Sequence, residues 1–450
     1  MNWEQLLSNK RLGQENHPHS KDDRTEFQRD YDRLIFSAPF RRLQNKTQVF
    51  PLPGTIFVHN RLTHSLEVSS VGRSLGNDTS RLLLEQHPQL FDTHFTELGS
   101  IVSAACLAHD LGNPPFGHSG ENAIGTYFTQ GKGQYLRDYY CEDTGDRLTT
   151  AQWSDLTQFE GNANAFRLLT HHFNGRRPGG FVMTYSTLAS IVKYPYTSDL
   201  SGGKNKFGFF RQDQEQYERI AKELGIRQFE APEGSARYAR YPLVYLVEAA
   251  DDICYEIMDI EDAHKLRILT SDETQQLLIS FMPLEKREHI RERMNTLDDR
   301  NEQIVYLRSC AINRLETECV KVFVEHEDEI LAGEFKGRLI EYISEIPHEA
   351  YKKCEEVSYK RIYHTRDVMD IEIAGYKVIT ELTDMMIQAV THPDKPISSL
   401  LINRVSSQYD IQAPTLYGRI MAVLDYISGM TDVYAMDMYR KINGMSIPTL

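Results

Sequence analysis

The run Ile101-Val102-Ser103-Ala104-Ala105-Cys106-Leu107-Ala108 is apolar on almost every side and ends on His109 and Asp110. A helix without a polar face is an interior element, so this one carries two titratable side chains to the end of a buried segment. Gly112, Pro114, Pro115 and Gly117 then break the backbone, and a second helix opens with His118 and Glu121, three apart and so neighbours on one face. Four titratable groups therefore converge within thirteen residues, 109–121.

Most of the remaining pattern has the period of a helix. Asn60-Arg61-Leu62-Thr63-His64 opens a helix predicted to reach about residue 86 through Leu66, Val71, Leu75 and Leu82. The same period predicts helices over 101–111, 118–129, 158–173, 184–194, 242–264, 271–282, 289–325, 349–390 and 416–440. Phe27, Tyr31, Leu34 and Ile35 mark an earlier amphipathic helix whose Arg24, Arg29 and Arg33 form a cationic face, read here as solvated or salt-bridged. A Pro/Gly turn at 51–54 suggests a short extended excursion. The polar stretch 131–153 reads as a peripheral insertion, and 197–216, with Gly202, Gly203, Lys204 and Lys206, as a mobile basic loop. Strand-like alternation, fixed-period repeats and low-complexity linkers are lacking. At 450 residues the length alone allows two or three domains, but the pattern predicts one large all-α domain.

Charge and cysteine usage narrow the classes of partner. The net charge is −14, so the surface as a whole repels nucleic acid and any polyanion site must be concentrated. The six cysteines form no C-x-x-C pair, which suits reduced core thiols. No signal-peptide pattern opens the sequence, and no apolar run reaches the roughly 18 residues of a membrane span. The expectation is a cytoplasmic protein with no membrane partner.

Asp251 and Asp252 lie midway along the 242–264 helix, among Leu243, Val247, Ala250 and Cys254. A carboxylate on that stripe needs a partner, because an unpaired buried charge costs several kcal/mol. One solution is an arginine or a helix cap. The other is a metal shared with His64, His109 and Asp110. Two imidazoles and two carboxylates suit Mg²⁺, Mn²⁺, Fe²⁺, Co²⁺ or Zn²⁺, with positions left for water and a phosphate oxygen.

The pattern His64, His109-Asp110 and Asp251 resembles the HD-domain metallohydrolase superfamily. The longer motifs Arg24 to Ser37, Arg61-Leu62-Thr63-His64-Ser65-Leu66-Glu67-Val68, His109 to His118 and Phe159-Glu160-Gly161-Asn162-Ala163 resemble the bacterial deoxyguanosine triphosphate triphosphohydrolases. The resemblance implies an HD core over about 55–265, a C-terminal helical part over about 266–450, and hydrolysis of a deoxynucleoside triphosphate, dGTP preferred, to deoxynucleoside and tripolyphosphate. It implies His64, His109, Asp110 and Asp251 as ligands of a divalent metal, Mg²⁺ or Mn²⁺ first, and His118 with Glu121 as the catalytic dyad. Arg61, Lys193 and Arg366 would bind phosphates, with Asn113 and Tyr194 beside them. Gln48, Val49, Tyr255 and Asp259 would meet the sugar, and Glu372 the base. A homo-oligomer, hexamer or tetramer, is implied as well. Lys204 and Lys206 would hold single-stranded DNA without taking part in hydrolysis. The alternatives are another HD-domain nucleotide phosphohydrolase, or a nucleotide- or DNA-binding regulator with a vestigial site.

Overall fold

Nine of the helices carry the site or pack behind it: α1 (Arg61–Gln86), α2 (Leu98–Ala108), α3 (His118–Thr129), α4 (Gly161–Thr170), α5 (Val244–Lys265), α6 (Arg300–Glu325), α7 (Arg366–Thr391), α8 (Leu416–Ser428) and α9 (Asp432–Ile442). The computed structural model describes residues 1–16, 23–50, 58–91 and 93–446. Among these, extended pairing is limited to isolated bridges such as Thr47 with Asn60, so the fold is all-α. The expected 51–54 turn lies outside the described residues, and no described helix is long and apolar enough to cross a membrane.

Local chemistry sets where these helices begin. Asn60 caps α1 by accepting the Thr63 N–H at 3.0 Å, while the Thr63 hydroxyl accepts the Asn60 N–H at 3.1 Å. Three long helices predicted from periodicity are interrupted. The 289–325 stretch divides before α6, where Asp299 caps by accepting the Asn301 and Glu302 N–H groups. The 349–390 stretch divides at a wide turn, Ser358–Ile362, whose Ser358 hydroxyl donates to buried Glu256 at 2.7 Å. The 416–440 stretch divides at Gly429, and Thr431 caps α9.

Two buried apolar clusters result. The first wraps α2 with residues of α1, α5 and α6. A Cβ on Gly76 of α1 would stand 2.7 Å from the Gly99 Cα of α2, so only glycine lets these backbones approach so closely. That crossing puts His64 opposite His109. The second cluster joins α3 to α7, α8 and α9 and takes in Leu136, Cys141, Leu148 and Leu156. The 131–153 stretch is thus partly core rather than a peripheral insertion, because Leu136, Cys141 and Leu148 point inward, while Tyr135 and Tyr140 stay exposed. The 197–216 loop departs from expectation in the same way: Phe207, Phe209 and Phe210 are fully buried and anchor it. On the first amphipathic helix, Glu26–Ile35, the arginines are engaged as read: Arg24 pairs with Asp32 at 2.9 Å and Arg33 donates to the Phe181 carbonyl at 3.2 Å. Five of the six cysteines are buried and all are free thiols.

One buried ion network ties the two clusters together. Arg167 of α4 donates from Nε and Nη2 to both oxygens of Asp425 in α8, at 2.8 Å each, and from Nη1 to Asp213 at 3.2 Å. Removing one partner of such a network leaves uncompensated charge. Arg167→Met is expected to lower unfolding free energy by about 3–5 kcal/mol, read from urea denaturation midpoints at unchanged slope.

Candidate metal centre and substrate cleft

His64, at the start of α1, and His109, just past the end of α2, face Asp251 midway along α5. The His64 Nε2 lies 3.1 Å from Asp251 Oδ1, and the His109 Nε2 lies 3.5 Å from the same oxygen. The two rings stand edge to face at 5.4 Å. One ligand atom from each of the three residues falls within 4.8 Å of the others. His109 Nδ1 must be a donor, since it meets the Cys106 carbonyl at 2.6 Å, and this leaves Nε2 as the ring atom turned toward the cluster. That Nε2 is buried and has no hydrogen-bond partner. Asp110, the fourth residue expected, stays outside that three-residue group, 3.7 Å from His109 Nε2, oriented by Arg61 at 2.7 Å on one oxygen and by the Asn113 amide on the other.

The electrostatics fit a cation. Burial drives the Asp251 carboxyl up, but the two imidazoles overcome it and hold it well below the usual range. Burial likewise pulls His109 down, and Asp110 and Asp251 reverse this and raise it to about 9. The field that draws a proton onto His109 would equally draw a divalent ion. An orphaned imidazole nitrogen beside the buried Asp110 and the half-buried Asp251 is the donor set of a mixed N/O metal site.

Beside this centre opens a cleft of about 250 Å³. His118 stands on its rim with its side chain 81% exposed. The Nδ1 of His118 donates to Glu121 Oε2 at 2.8 Å, and the other Glu121 oxygen accepts the Gly161 N–H at 2.8 Å. A Cβ on Gly161 would fall 2.1 Å from Asn113 and 2.5 Å from Glu121, so glycine is required there. The Glu121 bond raises the His118 imidazole above its ordinary value. Burial would raise Glu121 in turn, but the His118 contact keeps it ionised, below its ordinary value.

The cleft gathers most of the residues expected from the sequence: Gln48, Arg61, Asn113, Lys193, Tyr194 and Tyr255 all line it. Gln48 Oε1 is buried without a partner. Lys193 pairs with Glu248 at 3.1 Å, and Tyr255 sets its ring edge-on to His64 at 6.4 Å. Asp259 and Val49 lie behind the lining. Asp259 is buried, accepts the Tyr363 hydroxyl at 2.8 Å, and is pushed well above the usual carboxylate range by burial; Val49 packs on the first cluster. Arg366 and Glu372 are exposed on α7, outside the cleft lining. Glu372 contributes only its carbonyl, which accepts the Ser119 hydroxyl.

Lys206 and Glu160 are the two most consequential of the lining residues that sequence reasoning missed, with Asn162, Ser190 and Glu248 among the others. Buried Glu160 caps α4 through the Asn162 and Ala163 N–H groups and accepts Lys206 Nζ at 2.9 Å. Lys206 also lies 6.0 Å from the centre of the Tyr194 ring. The signal was available: Phe207, Phe209 and Phe210 mark an anchored loop, and Glu160 stands directly before Gly161.

An all-α scaffold presenting imidazoles and carboxylates from converging helices beside a cationic cleft defines an HD-type phosphohydrolase, and residues 61–177 match the HD domain while 342–441 match the phosphohydrolase-associated domain. Deoxyguanosinetriphosphate triphosphohydrolase-like proteins of Synechocystis sp. and Pseudomonas aeruginosa are 38% and 37% identical, over 99% and 100% of this chain and all of each relative. A Serratia proteamaculans protein named deoxyguanosinetriphosphate triphosphohydrolase is 30% identical over 93% of both chains. The chain belongs to the deoxyguanosinetriphosphate triphosphohydrolase family.

The dyad geometry carries a direct expectation. Replacing Glu121 by Gln removes the charge that favours the imidazolium, so His118 should titrate at lower pH in Glu121→Gln than in the parent. The check is the ¹³C-histidine NMR titration, assigned with His118→Asn; an unmoved midpoint would contradict it.

Proposed function

We propose that this chain is a metal-dependent hydrolase of deoxynucleoside triphosphates, dGTP preferred, releasing deoxynucleoside and intact tripolyphosphate. The observation that carries the reading is one cleft holding both the His64/His109/Asp251 cluster and three cations, Arg61, Lys193 and Lys206. A triphosphate, with about four negative charges, needs convergent cations of that kind. His64, His109, Asp110 and Asp251 would hold the ion, Mg²⁺ or Mn²⁺ first among those a mixed N/O set takes. When bound, such an ion supplies Lewis-acid polarisation of a phosphoryl oxygen and lowers the pKa of water.

The chain's own residues then do the following. Arg61, Lys193 and Lys206 hold the triphosphate, with Asn113 and Tyr194 beside it. Gln48, through its unpartnered Oε1, accepts from the 3′-hydroxyl, and Tyr255 lies beneath the sugar with Asp259 behind it. Water oxygen bonds to the α-phosphorus as the bond to O5′ breaks. His118, favoured as imidazolium by Glu121, gives its proton to O5′ and recovers one as the water is deprotonated. Arg366, Val49 and Glu372 have no place in this cleft as it stands.

The whole chain is read as one working unit, an HD core with its C-terminal helical part, acting in the cytoplasm. Its partners are the substrate and further copies in a tetramer or hexamer. The expected single-stranded DNA contact reduces to the exposed Lys204, because Lys206 faces the cleft.

Ion-exchange analysis of products from each dNTP and GTP tests the reaction. Deoxyguanosine with tripolyphosphate is expected, abolished by EDTA and by Asp110→Ala; diphosphate or orthophosphate as first product would sink it. The cleft lysine gives a second expectation. Lys206→Met should raise KM for dGTP by roughly 10-fold, the value of one charge-assisted hydrogen bond, while Lys204→Met leaves it unchanged.

A further inference from the structure

The loop between the Asp110 and His118 positions is held from outside the metal-site helices. Asp432, the first residue of α9, is buried, and its two oxygens accept two backbone N–H groups from distant parts of the chain. Oδ1 accepts from Phe116 at 2.9 Å, and Oδ2 accepts from Thr47 at 2.8 Å. Phe116 stands two residues before His118, and Thr47 directly precedes Gln48. One carboxylate thus fixes the backbone that carries the dyad histidine and the backbone that carries the glutamine with the unpartnered oxygen.

The positions held are ones the local chain would not choose. Phe116 has φ +63°, in the left-handed region that costs a non-glycine residue of order 1 kcal/mol or more. Its ring and Cβ press against Gly375 of α7, where a Cβ would come within 2.5 Å of them. A second clamp lies alongside. The buried Lys46 donates from Nζ to the Asn113 carbonyl at 2.6 Å and to the Ser428 carbonyl, at the end of α8, at 2.8 Å. Asn113 in turn orients Asp110. Both clamps run from the C-terminal helices to the catalytic loop, and neither touches the cleft.

We propose that Asp432 is a positioning residue: it sets the His118 backbone and the Gln48 backbone together, and through it the C-terminal helical part controls the catalytic geometry. The inference rests on the function proposed above for its kinetic arm but not for its physical one. In Asp432→Asn the side chain keeps its shape, but one oxygen becomes an NH₂ that cannot accept, so one of the two backbone N–H groups loses its partner.

The test compares the parent, Asp432→Asn and, as a control five residues further along α9, Asp437→Asn, whose partner is Lys441 at 2.6 Å. Hydrogen exchange in peptides covering 46–50 and 112–118 should be slow in the parent and in the control and faster in Asp432→Asn. The His118 NMR titration should move toward its ordinary value only in Asp432→Asn. For dGTP, kcat should fall on the order of 10-fold or more, while Mn²⁺ affinity by calorimetry stays unchanged. A folded Asp432→Asn with parental exchange, parental His118 titration and parental kcat overturns the proposal, as does parent protein whose Phe116 and Thr47 amides already exchange freely. If Asp432→Asn does not fold, Asp432→Glu, which displaces the carboxylate by one methylene, carries the same expectations. Parent protein inactive on every dNTP would refute the proposed function alone, since exchange and His118 titration still decide the clamp.

Discussion

The structure turns on a carboxylate that cannot be left alone. Asp251 sits half-buried on a helix that also carries Glu248, Asp252, Glu256 and Asp259, and its charge is matched by two imidazoles, one from the start of α1 and one just past the end of α2. An unmatched charge in that place would cost several kcal/mol. α1, α2 and α5 must therefore converge at one level, and the small residues at the α1–α2 crossing let them. His109 can serve because α2 is apolar enough to be buried up to its last turn. Nothing else in the cleft is in place unless this convergence is.

Around that point the chain adds polar groups in pairs, each tied by a partner of its own. Arg61 orients Asp110, Glu121 orients His118, Glu248 restrains Lys193 and Glu160 restrains Lys206. The cations of the cleft are thus not mobile surface side chains. Each is held near the place where a phosphate oxygen would displace or share its carboxylate, so little side-chain freedom remains to be lost on binding. Beyond α5, the described residues of the C-terminal helical part supply no candidate metal ligand, yet they hold the loop between Asp110 and His118.

What could be read from the sequence follows the range of the forces involved. The His109-Asp110 and His118-Glu121 groups were legible because their partners are local, three residues apart or at a helix end. His64 and Asp251 were legible because a charged residue on an apolar stripe demands a partner. Long helices were legible in kind but not in their breaks: Ser358 leaves its helix for a carboxylate, Glu256, which is 102 residues away. Arg366 and Glu372 were assigned by resemblance and lie on an exposed face, a matter of helix rotation that residue type does not fix. Lys206 was read as belonging to a mobile loop because glycine and lysine dominated the count, when three buried phenylalanines decide where the loop goes.

The sequence by itself determined the helical class and the family, because these depend on periodicity and on long, chemically specific motifs, and it singled out His64, His109, Asp251, His118 and Glu121 as candidates before the structure showed which of them meet. Only the tertiary structure decided which cations enter the cleft, that the 131–153 stretch belongs to a core, and that Asp432 and Lys46 reach the catalytic loop. Those contacts join residues about 70 to 380 positions apart. No local pattern encodes such a pairing; it exists only once burial has brought the helices together and left each buried polar group to find its partner.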